Sequence, residues 1–249
     1  MTDAAKRLIG GIHSVRTAIR HGAGGIDILW FDRGRKDKRL GQLLSEARKA
    51  GLSPQGVDKA ELDRLLPDAN HQGVVASTEA PAAQGEAGLD DVLAALDEPA
   101  LLLVLDGVTD PHNLGACLRS ADGAGVHAVI APRDRAAGLT PTACKVASGA
   151  AESVPFIQVT NLARTLKHLR DAYGVWTVGT AGEAETGLYQ ADLKGPLAIV
   201  MGAEEKGMRR LTREQCDQLV YLPMRGSVES LNVSVATGIC LYEARRQRG

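Results

Sequence analysis

The chain has 249 residues, 44% of them hydrophobic and 24% charged, which excludes a disordered chain and allows a substantial core in one large or two modest domains. Aromatic residues make up only 3%, so binding of nucleic acid through a broad stacking platform is disfavoured and recognition would fall to Arg, Lys and backbone groups. The formal net charge of −1 is unevenly spread: residues 1–76 hold 13 Lys/Arg against 9 Asp/Glu, with a cluster at Arg33, Arg35, Lys36, Lys38 and Arg39, whereas residues 77–98 hold six acidic groups and no basic ones.

Along the chain, the apolar run Ile26–Phe31 predicts a strand, the spacing of Leu40, Leu43, Leu44 and Ala47 a helix, and Gly73–Ala76 a further strand, so residues 1–76 read as a small α/β domain. Ser77–Gly88 is small, polar and free of large apolar residues, the composition of a linker, which we extend to residue 97. From residue 98 onward, Leu101–Asp106, Ala128–Pro132, Val175–Ala181, Leu197–Gly202 and Val220–Met224 are short apolar runs separated by helical segments. That alternation predicts a parallel sheet with helices on both faces. Ligands of such sheets gather beyond the carboxyl ends of the strands, so the polar residues after each strand carry the functional reading.

Three clusters stand at those strand ends. In the first, residues 106–119, either Asp110 or Asn113 is suited to cap a helix whose apolar positions are Leu114, Cys117, Leu118 and Ala121. Gly115 and Arg119 lie four residues apart on its other side, and a helical glycine beneath an arginine implies that something approaches closely there. The second, Met201–Gly207, has two glycines that permit a tight loop, but it lacks the Gly-Lys-Ser/Thr ending of a phosphate-binding loop. The third, residues 222–234, interleaves Ser227, Ser230, Ser234 and Asn232 with apolar residues where a strand leads into the last helix. Buried there, these groups would form a hydrogen-bonding cup. No Gly-x-Gly-x-x-Gly follows the first of these strands, which argues against an oxidoreductase using a nicotinamide or flavin. The four cysteines form no Cys-x-x-Cys pair and have no histidine at metal-site spacing, so no metal is expected. No signal-peptide core opens the sequence and no apolar run is long enough to span a bilayer, so a cytoplasmic protein is expected.

Together and in this order, the clusters resemble the three signature motifs of the SpoU/TrmH class of the SPOUT methyltransferases, over about residues 98–249. The first domain, followed by His71–Ala76 (HQGVVA), resembles the ribosomal-protein-like RNA-binding domain of the subgroup that acts on a guanosine of 23S ribosomal RNA. The resemblance implies a sheet with a deep C-terminal trefoil knot, S-adenosylmethionine bent within it, a homodimer that completes each site, and methylation of a ribose 2′-hydroxyl. It also implies cofactor contacts at Thr180, Gly202, Leu222 and Leu231, and a catalytic polar set of Asn113, Arg119, Glu204, Ser230 and Asn232. The first domain would choose the RNA, with Arg16 and Arg33, Arg35, Lys36, Lys38 and Arg39 as candidate contacts; His13 and His71 read as structural or surface residues. The rival reading is a non-catalytic RNA-binding or ribosome-assembly protein on the same fold.

Overall fold

The computed structural model describes residues 6–22, 25–67, 70–79, 83–203 and 206–249. They form two compact units divided between residues 81 and 82.

The first unit contains β1 (Lys6–Gly10), α1 (Ile12–Gly22), β2 (Ile26–Asp32), α2 (Lys38–Lys49), β3 (Gln55–Val57), α3 (Lys59–Leu65) and β4 (Val74–Glu79). Its mixed sheet has the order β1-β4-β2-β3, antiparallel except for the β2–β3 pair. Leu40, Leu43, Leu44 and Ala47 of α2 are buried with Val15 and Ile19 of α1 against the sheet, as the periodicity predicts. The HQG turn is structural. His71 is buried, its Nδ1 accepts from the Gly73 N–H at 3.1 Å, and the remaining ring proton on Nε2 faces Asp63 at 2.9 Å. The side-chain oxygen of Gln72, at φ 49°, accepts from the N–H of Ile12 at the start of α1.

The second unit contains α4 (Glu86–Ala94), β5 (Leu101–Asp106), α5 (Pro111–Ala124), β6 (Ala128–Pro132), α6 (Pro141–Ala147), α7 (Ala150–Ser153), β7 (Phe156–Val159), α8 (Leu162–Tyr173), β8 (Trp176–Thr180), β9 (Thr186–Gly187), β10 (Leu197–Gly202), α9 (Arg210–Arg213), β11 (Gln218–Tyr221) and α10 (Val233–Arg248). All seven strands are parallel, in the order β7-β6-β5-β10-β8-β11-β9. Alternation along β5 explains its unbroken apolar run. Leu101, Leu103 and Leu105 face a core shared with α5, α6, α7 and α10, while Leu102 and Val104 face the opposite core, shared with α4 and α8. The expected coverage of both faces is therefore present.

The structure corrects two boundaries. The run expected as a strand at Val220–Met224 is β11 at Gln218–Tyr221, held by the Asp217 carboxylate, which accepts from the Thr177 N–H at 2.8 Å and the Thr177 hydroxyl at 2.6 Å. Much of the segment 77–97, expected as linker, is built into the two units. β4 runs on through Glu79 with Ser77 and Thr78 buried, and α4 buries Leu89 and Leu93. Glu86 anchors α4 through Thr160 and Arg164, and Asp90 through His168 and Tyr173 at 2.8 and 2.9 Å. Among the described residues, no helix is long and apolar enough to cross a membrane.

Candidate active site

The carboxyl ends of β8, β10 and β11 open into one pocket of about 370 Å³. Thr180 ends β8, Gly202 ends β10, Leu222 follows β11, and Ser230 and Leu231 precede α10; all five line it. Met201, Val220, Val233 and Ala236 supply an apolar wall, and Glu183, Lys206, Arg213 and Glu229 add charge. A pocket of this size and mixed character suits a small cofactor with an apolar ring and polar ends.

The glycines shape the β10 loop. A Cβ on Gly202 would stand 2.3 Å from Gly207 C and from Met208 N, because the loop folds back directly over that residue. Ala203 and Gly207 exchange backbone hydrogen bonds at 3.1 and 2.8 Å, and Gly207 takes φ 60°, as the tight loop requires. Beyond the loop, the side chain of Asp106 is fully buried at the end of β5 and accepts from the Arg209 N–H at 2.7 Å and Nε–H at 2.6 Å. One carboxylate thus pins the far end of the pocket loop to β5.

Beside the pocket, the N-termini of α5 and α10 lie together. Asp110, not Asn113, caps α5, accepting from the His112 N–H at 2.8 Å. Asn232 caps α10: its Oδ1 accepts from the Ser234 N–H and hydroxyl at 2.9 and 2.6 Å, and its Nδ2 donates to Asn113 Oδ1 at 3.0 Å. This locks the two asparagines, 119 positions apart in sequence, into one arrangement. Arg119 is exposed on α5, does not line the pocket and has no hydrogen bond or ion pair among the described residues. Glu204 lies outside the described residues.

Two expectations fail here. Gly115 does not make room for a ligand: it is buried, and a Cβ there would meet Ala143 O at 2.5 Å and Val146 Cβ at 2.7 Å, so the close neighbour is α6. Residues 225–230, expected at a buried junction, are exposed, because β11 ends early and the chain crosses the surface before α10.

In the first unit, Lys36, Lys38, Arg39 and Arg33 are exposed. Two further candidates are tied into the fold. Arg16 donates to Glu46 at 3.1 Å; Arg35 lies over Gly73 and pairs with Asp37, and its guanidinium, with the Leu40 N–H, holds the Asp37 carboxyl below its ordinary value. Sequence reasoning missed Glu183 and Arg213 at the pocket, and did not single out Lys206 and Glu229 within the second and third clusters. Glu183 follows a strand end, a signal that would have found it. Arg213 carries none, because its approach to Glu183 is purely tertiary.

The class of protein this architecture defines is matched by two family models: SpoU rRNA Methylase over residues 100–242, and RNA 2′-O ribose methyltransferase substrate binding over residues 8–84. The chain belongs to the SpoU rRNA methylase family. It is similar to the 23S rRNA (guanosine-2′-O-)-methyltransferases RlmB of Ralstonia nicotianae, at 57% identity over 97% of this chain and 96% of the relative, and of Escherichia coli, at 55% over 97% and 98%. Among solved structures, it is similar to the SpoU methyltransferase AviRb from Streptomyces viridochromogenes in complex with AdoMet, with TM-score 0.77 and 30% identity over 99% of this chain and 92% of that one.

Proposed function

We propose that this protein transfers a methyl group from S-adenosylmethionine to the ribose 2′-hydroxyl of a guanosine in 23S ribosomal RNA. The observation that carries the reading is the convergence of Thr180, Gly202, Leu222, Ser230 and Leu231 on one pocket at the strand ends. Its apolar wall suits an adenine ring and its charged edge the zwitterionic methionine end. When bound, the cofactor supplies an electrophilic methyl carbon on a sulfonium, and the chain's task is to hold a ribose oxygen in line with it.

The planar guanidinium of Arg119, with its fork of donors, is suited to clamp an RNA phosphate and stabilise charge developing on the ribose oxygen. Asn113, Ser230, Asn232 and Glu204 fix the geometry, the first through its hydrogen bond to Asn232. Because Arg119 does not line the pocket of its own chain, the reading includes a homodimer in which Arg119 of a second copy completes each site. The exposed Val235 and Tyr242 of α10, with Ile239 between them, support such a pairing. Residues from three parts of the chain, 180–183, 201–203 with 206–208, and 222–236, crowd round one pocket, which supports the trefoil knot that kinship implies. The first unit acts as the RNA substrate-binding domain, the second as the catalytic domain, and the protein works in the cytoplasm.

The test is calorimetry with S-adenosylmethionine, followed by transfer of labelled methyl to 23S rRNA and to the matching DNA. Cofactor binding with methylation of RNA alone is expected, since DNA lacks the acceptor oxygen. RNA binding without cofactor binding would favour a non-catalytic RNA-binding protein on this fold. Arg119→Lys should lose most turnover; near-full activity would refute the bidentate clamp.

A further inference from the structure

Ion pairing in the second unit is uneven. Arg164, Lys167, Arg170, Arg209, Arg210, Arg213 and Arg246 each pair with a carboxylate, and Arg248 donates to the carbonyls of Pro99, Ala100, Leu193 and Gly195. By contrast, Arg119, Arg133, Arg135, Lys145, Lys194, Lys206, Arg225 and Arg245 have no such partner among the described residues, and all of these but Lys194 and Arg245 lie on the β6–α6, β10–α9 and β11–α10 connections or in α5 and α6. These segments leave the carboxyl ends of the strands, where the pocket opens. Cations left without carboxylates on a chain of net charge −1 mark a surface kept for an anion from outside.

Within this set, Arg133, Arg135 and Lys145 share one stretch of chain, the β6–α6 connection and α6, and neither the pocket nor the paired asparagines use them. Arg133 and Arg135 are exposed on the β6–α6 loop, and Lys145 is exposed on α6. The loop is fixed on both sides: the Arg133 N–H donates to Val159 O at 2.8 Å, and the Ala137 N–H donates to Val108 O, also at 2.8 Å, in the loop that leads to Asp110 and Asn113. α6 is pressed against α5 at Gly115. Asp134, between the two arginines, forms no ion pair among the described residues. Arg135 itself takes φ 58°, a left-handed conformation in which glycine would be relaxed and an arginine is strained. Strain retained on an exposed loop is accounted for when the side chain is needed where that backbone points it.

We propose that Arg133, Arg135 and Lys145 form a phosphate-binding ridge on the catalytic unit, holding the RNA backbone beside the pocket independently of the basic cluster on the first unit. This rests on the functional reading above. Arginine guanidinium groups bind phosphate oxygens bidentately, and the lysine adds a point charge on the same strand of RNA. The ridge sets register, not sequence preference.

The experiment uses the full chain, a 23S rRNA transcript and binding measured at several salt concentrations, with calorimetry for S-adenosylmethionine on each variant. Arg133→Glu combined with Lys145→Glu should weaken RNA binding about tenfold or more and lower the log–log salt slope by roughly 0.7–0.9 for each phosphate that is no longer neutralised, with cofactor affinity unchanged. Arg135→Gly should weaken RNA binding while raising the melting temperature, because it releases the strained backbone. The control is Lys194→Glu with Arg245→Glu, cations without carboxylate partners among the described residues that lie away from the strand ends; RNA binding should hold. Wild-type RNA binding that the ridge variants leave intact, or that the control weakens equally, overturns the ridge alone. A wild-type protein that binds no RNA overturns the functional reading and the ridge with it.

Discussion

Gly115→Ala separates two explanations of a helical glycine. A methyl group on an exposed helix position would raise stability by about 1 kcal/mol through helix propensity. At Gly115 the new Cβ instead meets the Ala143 carbonyl oxygen at 2.5 Å and Val146 Cβ at 2.7 Å, where ordinary contact begins near 3.4 Å. One clash is with backbone, which cannot rotate away, so α6 must retreat by most of an ångström. Overpacking of this kind costs about 1–3 kcal/mol, and its upper range applies here; after the propensity gain the net loss is about 1–2 kcal/mol. For a protein of this size, that lowers the melting temperature by about 2–8 °C. Thermal unfolding followed by circular dichroism reads the shift, and calorimetry reads cofactor affinity, which should not change because Gly115 is not among the pocket residues. A melting temperature that rises, or a stable variant that has lost cofactor binding, would refute the packing argument.

Arg209→Ala should destabilise the protein by about 3 kcal/mol, since it leaves the buried Asp106 carboxylate with only the residue-209 backbone N–H; urea unfolding measures this, and an unchanged midpoint would refute it. Hydrogen bonds from Arg246 and then Gln247 hold the Glu243 carboxyl at about 2, against an ordinary 4.5. A depressed carboxylate contributes stability that is fully present above pH 4.5 and fades as pH falls toward 2, so Glu243→Gln should flatten the acid limb of a stability–pH curve; identical limbs would count against the pairing. Burial pushes the thiols of Cys216 and Cys240 up to about 12, and Cys117 and Cys144 are buried, so a disulfide reagent at pH 8 should label no cysteine rapidly before unfolding and all four after it.

What was legible in the sequence follows from how each element is buried. β5, β6 and β10 announce themselves because both faces are covered and no polar residue interrupts them. β7 is short and carries Gln158, and β1 opens with Lys6 and Arg7 at a sheet edge, so neither presents an apolar run. α4 was hidden by its small and acidic residues; of its side chains only Leu89 and Leu93 are buried, with Val92 packed beside them, and its attachment depends on partners more than seventy positions away in sequence. In the site, Thr180, Gly202, Leu222 and Leu231, which the family resemblance implied as cofactor contacts, all line the pocket. The glycine at 115 was misread because its neighbour, α6, comes from a different stretch of chain.

The strand order has a consequence for synthesis. β5 lies inside the sheet between β6 and β10, yet β10 is encoded 96 residues later, Leu101 aligning with Leu197. At 5–20 residues per second, the ribosome leaves one long apolar edge of β5 without a neighbour for about 5–20 s. A nascent chain in that interval presents an open template for pairing with other strands, and α5, α6 and α8 can cover its faces but not that edge. Slowing elongation between β8 and β10 should therefore increase aggregation of newly made chains while leaving the stability of the finished protein untouched.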